Sequence, residues 1–91
     1  MYRRPDHMAF TSADTLGGRI SLARDASTLS LENAAKLVGV ESSVWSAWEN
    51  DRSDPGTHYI EAIGASLRVS GVWLSTGFGL GPRWPNDETL F

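Results

Sequence analysis

The side chains able to do chemistry in this 91-residue chain are mostly hydroxyls. Ser42, Ser43 and Ser46 crowd into one short stretch, with Ser30 before them and Asn50 and Arg52 after them. A serine becomes a nucleophile only beside a base that an acid orients, and no such base and acid can be named for any of these. The two histidines, His7 and His58, stand far apart in sequence and no cysteine accompanies them, so a metal site has no ligand set. The run Gly77-Phe78-Gly79-Leu80-Gly81 superficially has the glycine spacing of a phosphate loop. It follows a short helical segment rather than a strand, however, and lacks the Lys-Ser/Thr pair on which such loops end. The sequence therefore gives no reason to expect an enzyme, a metal, a cofactor or a small-molecule substrate. What remains is reversible hydrogen bonding through short hydroxyl side chains.

The bulk properties bound what can position those groups. A chain of 91 residues is one domain, and 41% hydrophobic residues suffice for a core. At this size a compact helical bundle is the economical way to bury it. The start, Met1 to Asp6, has Arg3 and Arg4 but no apolar stretch behind them, so it does not read as a signal peptide. No apolar run approaches the ~20 residues needed to cross a bilayer. Together with the lack of cysteine, this fits a cytoplasmic protein without a membrane partner. The formal net charge is −3.

The elements follow from hydrophobic spacing and end signals. Residues 1–11 show no period and read as an N-terminal arm. Thr11, Ser12 and Asp14 offer helix-start chemistry ahead of Leu16, Ile20, Leu22 and Ala23, which predict a helix to about Ala26. Gly17 and Gly18 weaken its start. Ser30 is an N-cap. Leu31, Ala34, Ala35, Leu37 and Val38 give a second, amphipathic helix, which Gly39 ends. Glu41-Ser42-Ser43 opens a third, with Val44, Trp45 and Trp48 as its apolar positions and Asn50-Asp51 as its close. Arg52 to Gly56 is a loop. Thr57 is placed to cap a fourth helix carrying Ile60, Ile63, Gly64 and Leu67. Ser70 caps a short fifth, which Gly77 stops. Residues 78–91 have no period and read as a flexible tail in which Trp84, Leu90 and Phe91 are costly apolar groups to leave in water. The result is an all-α domain of five helices over 12–77, between arm and tail.

The stretch from Leu29 to Asn50, LSLENAAKLVGVESSVWSAWEN, resembles the helix-turn-helix of the phage-repressor and Cro family, often called the xenobiotic-response-element family. Ala35 stands where two helices cross closely, and Gly39 at the tight turn between them. Val40 and Trp45 fill the apolar positions after the turn, although Ile or Val is more usual than Trp at the second. Trp48-Glu49 matches a frequent aromatic-Glu pair, Pro55 a loop proline, and Val69 to Gly77 the closing signature. The resemblance spans about residues 16–77 and implies a lambda-repressor-like DNA-binding fold. It further implies a structural ion pair between Arg24 and Glu49, tying the first helix to the end of the third. Arg68 stands where relatives often carry glycine at the end of the fourth helix. A left-handed arginine there costs on the order of 1 kcal/mol, so a different ending is expected.

The same resemblance places a recognition helix, about 41–50, in the major groove of double-stranded DNA. Ser42, Ser43, Ser46 and Ala47 then face base edges, with Val44 nearby. Strong base readers are Arg, Lys, Asn and Gln, and this helix has none before Asn50. Single serine bonds and a methyl contact from Val44 or Ala47 imply weak or water-mediated readout, with DNA shape contributing more. Phosphate contacts fall to the helix start at Ser30 and Leu31, and to Lys36, Asn50 and Arg52. Arg19, Arg3 and Arg4 are further candidates. Glu41, Asp51 and Asp54 oppose them, Glu41 being the worst placed.

Two functions fit. One is a DNA-binding transcriptional regulator, acting as a homodimer because so small a module reads only a few base pairs. The other is a protein-interaction module that retains the helix-turn-helix fold with weak or no DNA binding. The serine-rich helix, the acidic balance and the apolar tail motivate it.

Overall fold

The computed structural model describes residues 15–82. The expected arm over 1–11, the candidate helix starters Thr11, Ser12 and Asp14, and residues 83–91 of the expected tail lie outside them. Among the described residues the chain forms five α-helices and no strand. These are α1 (Leu16–Ala26), α2 (Leu31–Val38), α3 (Ser42–Glu49), α4 (Gly56–Leu67) and α5 (Gly71–Thr76). No helix among them is long and apolar enough to cross a membrane.

Local chemistry sets most of the boundaries. The Ser30 hydroxyl accepts from the Asn33 N–H and starts α2; the Ser70 hydroxyl accepts from the Trp73 N–H and starts α5. Both helices stop at left-handed glycines, Gly39 (φ 84°) and Gly77 (φ 86°). The cap of α1 is Thr15, whose side chain accepts from the Gly18 N–H. Helix α4 begins one residue before the expected cap Thr57, with Pro55 at its N-cap. Pro55 supplies a fixed φ and no N–H, and the Asp54 carboxylate accepts from the Gly56 N–H instead. The end of α4 also differs from expectation: Arg68 itself takes the left-handed conformation (φ 62°, ψ 42°).

The core draws on all five helices. Ile20, Trp45, Ile63 and Leu74 are its largest fully buried side chains, joined by Ala23, Ala34, Ala35, Trp48, Leu67 and Trp73. Trp48 rests between the rings of Trp45 and Tyr59, with centroids 5.8 and 5.1 Å away. Two apolar positions read from the periodicity lie outward. Leu37 is 59% exposed and Val44 39%. Leu37 falls six residues after Leu31, off the stripe that Ala34, Ala35 and Val38 define.

Gly17 shows why α1 tolerates poor helix formers at its start. A Cβ on Gly17 would stand 2.4 Å from the Trp48 carbonyl oxygen and 2.7 Å from that of Glu49. Helix α1 thus meets the end of α3 backbone to backbone, a contact that only glycine permits. Residues 78–82 continue onto α5: the Ser70 N–H donates to the Leu80 carbonyl over 3.0 Å, and Gly81 lies against the Trp73 indole.

Candidate nucleic-acid interface

Helices α2 and α3 pack through the smallest side chains available. Ala34 and Ala35 are buried, so the two backbones approach closely. The Gly39 N–H donates to the carbonyls of Ala35 and Lys36, and the Val40 N–H donates again to Ala35. This closes a tight corner between α2 and α3. The first turn of α3 is closed by the Glu41 carbonyl, which accepts from the N–H groups of Val44 and Trp45.

The inward side of α3 is fixed by one carboxylate. Glu49 Oε2 accepts from Trp45 Nε1 at 2.6 Å and from Arg24 Nε at 2.5 Å, while Glu49 Oε1 accepts from Arg24 Nη2 at 3.2 Å. Arg24 Nη1 also donates to the Leu29 carbonyl in the connection between α1 and α2, at 3.0 Å. One guanidinium therefore ties together α1, that connection and α3. The Glu49 hydrogen bond pushes the Arg24 pKa above its ordinary value, outweighing the opposing effect of burial.

On the outward side Ser42 and Ser43 are exposed, Val44 is partly so, and Ser46 and Ala47 are half-buried. No described element covers the start of α3. Asn50 is exposed, but its amide nitrogen donates to the Ser46 carbonyl at 2.8 Å, so a donor a phosphate would use is turned to the helix end. Arg52 and Lys36 are exposed. At the start of α2, Leu31 is half-buried, and the Ser30 hydroxyl is occupied by the Asn33 N–H. The N–H groups of the turn's first residues have no carbonyl within the helix to pair with.

The charges around this surface sort in a way that composition conceals. Arg19 is a core cation, not a surface one: it is 8% exposed, and its Nε donates to the Leu74 carbonyl at 2.7 Å. It caps the end of α5, where a positive charge suits the helix dipole, and drops out as a phosphate candidate. Three acids are likewise engaged. Glu49 holds Arg24 and Trp45. Asp51 accepts from the Gly17 N–H at 2.9 Å and from the Thr15 hydroxyl at 2.8 Å, at the positive end of α1. Asp54 holds the Gly56 N–H. Glu41 remains exposed at the start of α3 with no capping bond. The roles of Arg19 and Asp51 escape sequence reasoning because their partners lie 55 and 34–36 residues away. The one local sign is the turn chemistry of Asp51 itself, which takes a positive φ of 59°.

No protein-family model and no curated protein matches the chain. Solved structures do. A crystal structure of the P22 c2 repressor protein in complex with a synthetic operator is 26% identical, with a TM-score of 0.68, over 71% of this chain and 98% of that one. The solution structure of the DNA-binding domain of the P22 c2 repressor is also 26% identical, with a TM-score of 0.65, over 68% and 82%. A hypothetical transcription factor from Neisseria, NHTF, is similar in fold, at 24% identity and a TM-score of 0.62 over 99% and 93%. The crossed pair α2–α3, the glycine corner and the five-helix order thus make up a repressor-like helix-turn-helix fold.

Proposed function

We propose that the chain is a DNA-binding transcription regulator of the Cro and repressor type, non-enzymatic and homodimeric, with α3 entering the major groove. The observation that carries this reading is the asymmetry of α3. Its inward side is locked to α1 through Glu49, while Ser42 and Ser43 stand clear on the other, as a recognition helix requires. The resemblance to a repressor solved with its operator supports it. In this reading Ser42, Ser43, Ser46 and Ala47 meet base edges. Arg52, Lys36, Asn50 and the α2 start at Ser30 and Leu31 meet phosphates. With Asp51 and Asp54 engaged in capping, Glu41 is the one acid of the three still facing the duplex.

A second reading has an observation of its own. Of five cations between residues 15 and 82, Arg19 and Arg24 are spent inside the fold, leaving Lys36, Arg52 and Arg68. So few surface cations also suit a helix-turn-helix module that binds another protein and little or no DNA. A salt series of duplex-binding measurements separates the two. The regulator binds unrelated duplex at low salt and loses that binding steeply as salt rises, because counterion release dominates. A folded chain that binds no duplex at low salt supports the interaction module.

A further inference from the structure

An open groove of about 600 Å³ lies among the ends of α1, α2 and α4. Leu29, Leu37 and Leu67 make its walls apolar, Arg68 brings the one charge, and Leu80 and Gly81 close the remaining side. Leu37 and Leu80 stand 59% and 65% exposed on its rim. Leu37, which lies off the apolar stripe of α2, therefore faces a cavity that nothing among the described residues fills.

The chain leaves the described residues beside this groove. The Ser70 N–H holds Leu80 by its carbonyl at 3.0 Å, and Gly81 is fixed against the Trp73 indole. Pro82 is the last described residue, and Trp84 stands two positions beyond it. We propose that the indole of Trp84 occupies the groove of its own molecule, in contact with Leu37, Leu67 and Leu80. Reach permits it: three residues separate Trp84 from Gly81, and an extended chain covers about 10 Å in that distance. Space permits it too, since a cavity of ~150 Å³ already takes a benzene ring. Tryptophan gains most from such a site, because its large apolar surface is costly in water while its N–H needs only one acceptor. The tether decides between copies. A link of so few residues gives an effective concentration in the millimolar range, so the molecule's own Trp84 takes the groove ahead of a second chain below that concentration. Charge agrees in sign. Residues 83–91 carry two acids, Asp87 and Glu88, against one base, Arg83, and the groove has a cation and no acid in its lining. An ion pair exposed to this degree adds little affinity, so the indole is the anchor.

The inference stands apart from the DNA-binding reading, and its test uses the full chain without DNA. In nuclear Overhauser spectra the ring protons of Trp84, identified by their loss in Trp84→Ser, should show cross-peaks to the methyl groups of Leu37 and Leu67. A sample mixed from labelled and unlabelled chains should show that these arise within one molecule. Trp84→Ser should also move those methyl resonances, by removing the ring current, and lower the thermal midpoint by about 5 °C, as loss of a modest apolar contact does in a domain of this size. Combined with Leu37→Ser it should lower the midpoint by less than the sum of the two single changes, because both remove the same contact. Missing cross-peaks, or methyl resonances that Trp84→Ser leaves in place, overturn the inference and leave the groove open to another protein. Cross-peaks found only between copies overturn it in favour of a second chain as the occupant.

Discussion

The two sides of α3 differ in the size, polarity and engagement of their side chains. Inward stand Trp45 and Trp48, the first fully buried, with the Trp45 indole N–H and the Arg24 guanidinium converging on Glu49. Outward stand Ser42, Ser43, Ser46 and Ala47, small and without charge. The inner side sets where the helix sits, and the outer side sets what it can touch. The same eight residues serve both needs because a helix separates its faces by angle rather than by length. Substitutions inside should therefore move stability, and substitutions outside should move binding alone.

The largest effect is expected from Trp45→Ala. Emptying that site should lower unfolding free energy by about 3–5 kcal/mol in a urea titration, a large share of a small domain's stability. A loss under about 1 kcal/mol would mean that α3 is not anchored here. Next comes Glu49→Ala, which strands both Arg24 and the Trp45 indole. The Arg24 side chain retains 21% exposure, so water relieves part of the loss. About 2 kcal/mol is expected, less than for a sealed ion pair. Combining it with Arg24→Ala should add little further, and full additivity would break the proposed tie. The pH dependence has a definite sign. Because the Arg24 pKa is raised, its contribution is complete below the unfolded-state value and lost only as pH rises through the folded one. The cost attributable to Arg24 should thus be the same at about pH 7 and about pH 9, both far below an arginine's titration.

The outer substitutions sharpen the comparison from the other side. Arg52→Ala should weaken binding to every duplex alike and lower the salt slope by about one, with the urea midpoint unchanged. The smallest effect is Ser43→Ala. One hydroxyl makes one bond, so preference should shift at a single base position by on the order of 1 kcal/mol. If Arg52→Ala and Ser43→Ala prove indistinguishable across a set of sequences, the placement of α3 on DNA is wrong.

What the sequence reveals follows the range of each interaction. The starts of α2 and α5 and the glycine ends of both are readable because a cap reaches only three residues along the chain. Burial of Trp45, Trp48 and Trp73 is readable from helical spacing. The same spacing misleads at Leu37, because a helix of eight residues has room for an apolar side chain off its stripe. Charge is the least readable property. Arg19 and Lys36 are both cations in the string, yet one is sealed against the carbonyls ending α5 and the other stands in solvent. Asp51 reads as an obstacle to phosphate until its carboxylate is seen holding Thr15 and Gly17. For the candidate surface, the sequence reveals which short side chains lie on α3, whereas only the packing reveals how many nearby charges are already engaged.

Arg68 has a practical use. Its left-handed backbone stores strain that a glycine would release, on the order of 1 kcal/mol. It lies at the far end of α4, on neither face of α3. A chain carrying Arg68→Gly is therefore a sturdier host, in which damaging changes such as Glu49→Ala can be introduced and still leave enough folded protein to weigh on DNA.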